Sequence, residues 1–250
     1  MSIQLTIDIE PFVCNGTVMT TLTNSGYLLY TLNMLKSLKA FDLDKKVLIV
    51  CIDKKGADSL KRRGYSVVCI NDIYEKFSPW NSTEYVKICY LKLELIYRLL
   101  SLQKNVLLID GDIVFRKNPM DDVKTWSIGD VWIQNDSLQN ANTKNMCTGY
   151  MFIKSSDRLI QLYDVTSEAG RNKYLKCAFD NNDQTYFNEF VKPRCVFSAL
   201  PLEKYPNGKM FYDNPTLDPV LVHFNWVQGH LKMVKMKEHK MWLLTPGEEV

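Results

Sequence analysis

The residues best placed for chemistry lie at 105–112, NVLLIDGD. In an extended chain alternate residues face the same side, so Asp110 and Asp112 present both carboxylates in one direction, and Gly111 between them allows a ligand to approach closely. Two such oxygen donors make half of a hard-cation site. Mg²⁺ or Mn²⁺ completes its shell with phosphate oxygens and water, which suits a bridge from protein to a diphosphate. A solvated turn is the plain alternative, but a turn does not need the four apolar residues at 106–109 that lead straight into the acidic pair.

Such a pair must be held by a framework, and the preceding sequence supplies one. Residues 18–24 (VMTTLTN) read as a strand ending in polar residues, and 26–41 place apolar residues at helical spacing. The alternation repeats as a strand at 46–52, a short basic helix at 55–63 and a strand at 65–70. Uniformly apolar strands alternating with helices imply a parallel sheet covered on both faces. A long helix over 83–102, with Tyr85, Ile88, Leu91, Leu95 and Leu99 as its inward stripe and Thr83 as its cap, delivers the chain to the strand ending at Asp110. Open α/β sheets bind ligands at the carboxyl ends of their strands, so a metal or phosphate site is expected there.

Beyond Pro119 the pattern becomes mixed. WSIGDVWIQ and CTGYMFI read as strands, and the polar stretch 135–146 between them is long enough for a mobile loop. Helices are expected at 156–169 and 183–192, and 200–219 reads mostly as loop. The alternating SIQLTIDIE near the start is expected to add an edge strand. The fold class is therefore α/β, with a mostly parallel central sheet, a mixed C-terminal half, and one domain over 1–250.

At 46% hydrophobic and 12% aromatic, 250 residues can bury a substantial core. The 31 basic and 28 acidic residues leave a charge of only +3, which argues against a nucleic-acid surface. No run of 18 apolar residues exists, and Asp8 and Glu10 stand where a signal peptide needs an apolar stretch. The chain therefore reads as soluble and cytoplasmic, with no transmembrane segment, although a Golgi-lumenal fragment reads identically. Seven scattered cysteines without a CxxC pair are expected to be free and largely buried. Asn15-Gly-Thr and Asn81-Ser-Thr are formal glycosylation sequons.

Two families share parts of this pattern. An apolar strand ending in DxDxV also opens the haloacid-dehalogenase phosphatases, in which Asp110 would be a nucleophile, Asp112 a general acid, and Gly129-Asp130 a downstream acidic element. That motif normally lies on the first strand of its domain, whereas here about a hundred residues precede it. The broader likeness rests on five blocks in order: TTLTNSGYLLYTLNMLKSL from 20, LLIDGDIVFRKNP from 107, NMCTGYMFI from 145, NNDQTYFNEF from 181 and VHFNWVQGHLKM from 222. Together they resemble GT-A fold glycosyltransferases, especially the retaining groups related to glycogenin and the bacterial galactosyltransferases, and the nucleotide-diphospho-sugar transferase family of plants and algae.

The resemblance implies a nucleotide-binding half at 1–118 and a sugar- and acceptor-binding half at 119–250. It places the nucleotide base and ribose on Thr20, Thr21, Asn24 and Tyr27, with Tyr27 stacking on uracil. It puts Lys92 near the donor phosphates or sugar, with Lys87 and Arg98 competing for that role. Asp110, Asp112 and His223 become the metal ligands, with Gly111 in the donor site, and an imidazole leans the choice towards Mn²⁺ over Mg²⁺. Gly229 and Lys232 grip the diphosphate, with His230 a further phosphate contact and His239 a surface residue. Gly149 leaves room for the sugar and Thr148 offers it a hydroxyl, while Asp183 and Gln184 face sugar and acceptor as candidate catalytic residues; helix capping is the plain role for Asp183. The His-to-Lys spacing fits the plant and algal group better than glycogenin, where it is shorter. The activity implied is metal-dependent transfer from a nucleotide-sugar donor, UDP-linked by family likeness, to a glycan or other hydroxyl acceptor with retention. The 135–146 loop and the C-terminal segment are the candidate lids.

Overall fold

The computed structural model describes residues 3–72, 76–78, 82–177 and 182–248. Asn81 of the second sequon lies outside them. A hairpin opens the chain: β1 (Val13–Cys14) and β2 (Thr17–Thr23) pair antiparallel around Asn15 and Gly16, whose φ of 51° and 72° suit a tight two-residue turn. Then come α1 (Leu28–Lys39), β3 (Leu48–Asp53), α2 (Lys54–Arg62), β4 (Val67–Asp72), α3 (Thr83–Ser101) and β5 (Asn105–Ile109). β4, β3, β2 and β5 lie side by side and parallel.

β8 (Met146–Ile153) pairs antiparallel with β5 and with β7 (Val131–Asn135), and β9 (Phe197–Leu200) completes the sheet beside β7. One sheet thus runs through both halves of the chain. A second, two-stranded sheet joins β6 (Ile113–Phe115) to β10 (Leu221–His223), and a short α4 (Pro119–Val123) follows β6.

Successive strand residues feed opposite cores. Val106 and Leu108 pack with Leu91, Leu95 and Leu99 of α3, while Leu107 and Ile109 pack with Met34, Leu35 and Leu38 of α1. This two-sided burial is why the strands read apolar throughout rather than alternating. The cysteines are free, four of them buried and three half-buried.

Several expectations are corrected. Residues 3–9 form no strand: Ile3 and Ile9 are buried against the α3 core, and the Ile3 N–H donates to the Glu94 carboxylate instead of a ladder. Ser82, not Thr83, caps α3, its Oγ accepting from Tyr85 N. The helix expected at 156–169 is two, α5 (Asp157–Tyr163) and α6 (Glu168–Leu175), because the Asp164 carboxylate accepts from Thr166 N and Ser167 N and offers the backbone a turn in place of a helix. The helix at 183–192 is α7 (Asp183–Tyr186) running into a π-helical turn at 187–191. Within 200–219 a short α8 (Gly208–Asp213) forms under an Asn207 cap, and α9 (Leu231–Glu238) follows β10. The 135–146 stretch is a loop between its end residues, which belong to β7 and β8, and it is stitched to itself, with Ser137 Oγ 2.7 Å from Gln139 O and 2.9 Å from Asn142 O.

Candidate active site

Two local pairings build the site. Antiparallel pairing sets Ile109 of β5 opposite Tyr150 of β8, so Gly149 stands beside Asp110 and its carbonyl accepts from Asp110 N at 2.7 Å. Pairing of β6 with β10 sets Ile113 opposite His223, and Phe224 N donates to the Asp112 carbonyl at 3.0 Å. Residues far apart in sequence are thereby brought to one point. His223 Nε2 lies 3.3 Å from Asp112 Oδ1, and one donor atom from each of Asp110, Asp112 and His223 lies within 4.8 Å of the others. Asp112 and His223 are buried, while Asp110 is partly open. Two carboxylates and an imidazole form a donor set suited to a first-row divalent ion such as Mn²⁺.

Glycine is required twice here. A Cβ on Gly149 would fall 2.2 Å from His223 Cε1 and 2.9 Å from Asp110 Oδ2, and one on Gly111 would fall 2.6 Å from Thr31 Oγ1 and 3.2 Å from the Tyr27 ring.

Two lysines meet the acids. Lys92, on α3 and only 8% exposed, places Nζ 2.7 Å from Asp110 Oδ1 and 2.8 Å from Asp183 Oδ2. Thr148 Oγ1 donates to the same Asp183 oxygen at 2.6 Å. Lys232, on α9, places Nζ 2.5 Å from Asp112 Oδ2 and donates to the Phe224 carbonyl.

Burial penalises charge on every member, and the pairs decide the outcome. Burial raises Asp112, but Lys232 and His223 overcome it and hold the carboxyl well below the usual range. Asp183 is likewise lowered against its burial by Lys92 and Thr148. Asp110 stays raised, by burial first and by Asp112, despite Lys92. Lys92 is raised by Asp110 and Asp183 against the pull of burial. His223, which burial would lower, is raised to about 10 by Asp112 and Cys147. The Asp112 carboxylate thus favours a proton on the buried His223 ring.

These groups border a cavity of about 460 Å³ that also takes in Asn24, Tyr27, Phe77, Tyr85, Ile88, Asp136, Gln184, Asn225 and Trp226. Tyr27 stacks on Phe77 with centroids 6.1 Å apart, and burial together with Asp112 and Asp110 raises its hydroxyl well above the ordinary phenol range. Asn24 lines the cavity but spends its amide on Tyr27 N and Lys76 O. Thr20 and Thr21 do not line it: both are buried deeper in β2, with Thr20 Oγ1 donating to Leu48 O, and Leu22, Thr23 and Asn24 occupy the strand end. Gly229 also stands outside the lining; its φ is +53° and its carbonyl accepts from Tyr30 Oη. Lys87 and His230 are exposed, and Arg98 pairs with Glu94. His239 is half-buried, stacked on Tyr212. Asn182 takes the capping role at α7, accepting from Thr185 N, which leaves Asp183 to Lys92 and Thr148.

One cavity residue, Asp136, gave no signal of its own in the sequence. It accepts from Asn225 Nδ2 (3.1 Å) and Trp226 Nε1 (3.0 Å) on one oxygen, and from Asn145 Nδ2 and Gln184 Nε2 (both 3.2 Å) on the other. It follows the apolar β7 as Asp110 follows β5, a pattern that the run of polar residues at 135–146 obscures.

The phosphatase alternative loses its third acid. β5 and β7 run in the same direction, so Asp130, at the start of β7, sits a strand length from Asp110, roughly 17 Å for five residues. There Asp130 is held by Arg158 and Val196 N.

A model of the family described as nucleotide-diphospho-sugar transferase matches residues 42–238. The chain belongs to that family. It is a glycosyltransferase, with the GT-A architecture that its sheet order displays. A search of curated proteins found no match in sequence. Among solved structures the transferase is similar to the galactosyltransferase LgtC, in complex with donor and acceptor sugar analogs, at 14% identity and a TM-score of 0.58 over 92% of this chain and 98% of that one. WbbM, a bifunctional glycosyltransferase, matches at 14% identity and a TM-score of 0.62 over 95% of this chain but 51% of its own length. GlyE of Streptococcus pneumoniae TIGR4 matches at 15% identity and a TM-score of 0.52, over 91% of this chain and 61% of that one. At these identities the likeness is one of fold. Among the transferase's described residues, no helix is long and apolar enough to cross a membrane.

Proposed function

We propose that the transferase moves a sugar from a UDP-linked donor to a glycan or other hydroxyl acceptor, with retention, using Mn²⁺ held by Asp110, Asp112 and His223. The convergence of these three residues with Lys232 in the lining of one cavity is the observation that carries the reading.

When bound, the cation supplies positive charge to the leaving diphosphate. Lys232 sits on the same carboxylate and is placed to follow that developing charge, which is the term that matters most as the glycosidic bond to phosphate breaks. Tyr27, beside Gly111, offers a ring face for the base. Lys92 and Thr148 fix the Asp183 carboxylate as a rigid wall of the sugar pocket, while Gln184, tied to Asp136, lines the acceptor side.

Incubation with Mn²⁺ and a panel of nucleotide sugars, following release of nucleotide diphosphate, tests this. Release from a UDP-sugar that stops on addition of EDTA is expected. Phosphate release from simple monoesters, with every donor ignored, would sink it.

A further inference from the structure

We propose that Gln134 positions His223, fixing the ring and its tautomer so that Nε2 faces the cation site. The inference rests on the reading of His223 as a metal ligand.

Gln134 is fully buried on β7. Pairing between β7 and β8 slips there: Ile133 opposes Met151, but Gln134 opposes Cys147. Irregularities of this kind re-aim side chains next to functional sites. The Gln134 amide commits both of its N–H donors. Its Nε2 donates to the Tyr205 carbonyl at 3.2 Å and to the Pro206 carbonyl at 2.9 Å. With both protons committed to fixed backbone acceptors, the amide cannot turn over.

Its Oε1 is therefore held towards His223, 2.7 Å from Nδ1. A carbonyl oxygen only accepts, so Nδ1 must carry the proton, and in the neutral ring the lone pair falls to Nε2. Nε2 is the nitrogen that faces Asp112 at 3.3 Å. Cys147 Sγ, at 3.7 Å from Nδ1, is a longer contact that competes poorly with Oε1. Histidines that bind metals generally donate their other ring N–H to such a partner, and losing that partner weakens binding about 10- to 100-fold.

The test is a double-mutant cycle on full-length protein, with Mn²⁺ affinity read from the electron paramagnetic resonance signal of free Mn²⁺. Gln134→Met is expected to weaken binding about 10- to 100-fold in the natural background, and to have no further effect in His223→Ala. Unchanged affinity, or an equal loss in both backgrounds, overturns the proposal and leaves Gln134 a packing residue. A natural protein that leaves the free Mn²⁺ signal undiminished overturns the metal reading itself. Should Gln134→Met fail to fold, ¹⁵N spectra of the unaltered protein with Mg²⁺ and UDP decide: protonated Nδ1 on His223 is expected, and protonated Nε2 contradicts it.

Discussion

His223 Nε2 and Asp112 Oδ1 stand 3.3 Å apart, the separation at which an imidazole and a carboxylate can share either a proton or a metal ion. Their meeting depends on three-residue strands, β6 and β10, whose register places Ile113 against His223. In the proposed metal site proton and cation compete for the same place, and most of the expected behaviour stems from that competition.

The first consequence is a pH dependence. The folded His223 lies near 10, above its ordinary 6.5, because the Asp112 charge outweighs burial. A raised value means that the imidazolium stabilises the metal-free fold fully below about pH 6.5, and that this contribution fades as pH climbs through about 10. The melting temperature of metal-free protein should fall over that window, and His223→Ala should flatten the profile. Mn²⁺ must displace the same proton, so its affinity should rise with pH. Calorimetry in buffers of different ionisation enthalpy should count about one proton released per ion.

Gly149→Ala should remove cation binding while keeping the fold. Its Cβ would meet His223 Cε1 at 2.2 Å, so the ring has to swing away from Asp112. A Mn²⁺ titration should show at least about a tenfold loss, with the far-ultraviolet spectrum unchanged; full affinity would contradict the close packing described.

Lys92→Met should destabilise the metal-free protein strongly. It leaves Asp110 and Asp183 without their shared cation, and removing one partner from a buried ion pair typically costs about 3–5 kcal/mol. Denaturant titration measures this. The deficit should shrink when Mn²⁺ is added, because the ion gives Asp110 a new counter-charge.

Asp136→Ala should loosen the proposed acceptor side alone. Losing four accepted hydrogen bonds loosens Asn145, Gln184, Asn225 and Trp226 together, so trypsin should cut faster at the adjacent Lys144. Mn²⁺ affinity should stay within about twofold, as befits a site whose nearest ligands are untouched.

Much of this was legible in the chain. The parallel strands showed as apolar runs because burial on both faces leaves little else for those residues to be, and α1 and α3 showed in apolar residues at helical spacing. Asp110 and Asp112 showed because an acidic pair closes an apolar strand. What stayed hidden depends on long-range pairing. The second strand of the first hairpin showed, but its partner β1 is only two residues long and stayed hidden, although the Asn15-Gly16 turn signals it. β9 and the β6–β10 sheet are short and gain stability only from tertiary contact. His223 carried its meaning through a family likeness, not through any local pattern. Gln134 and Asp136 were missed because neither residue type announces a role until a partner from another segment arrives.

UDP binding measured by calorimetry, with Mn²⁺ and then with EDTA, puts the proposed cation bridge to the test. UDP is expected to bind measurably only with Mn²⁺, and Asp112→Asn is expected to abolish the dependence. UDP binding of equal strength in EDTA would contradict the assignment of Asp110, Asp112 and His223 to a metal-held diphosphate.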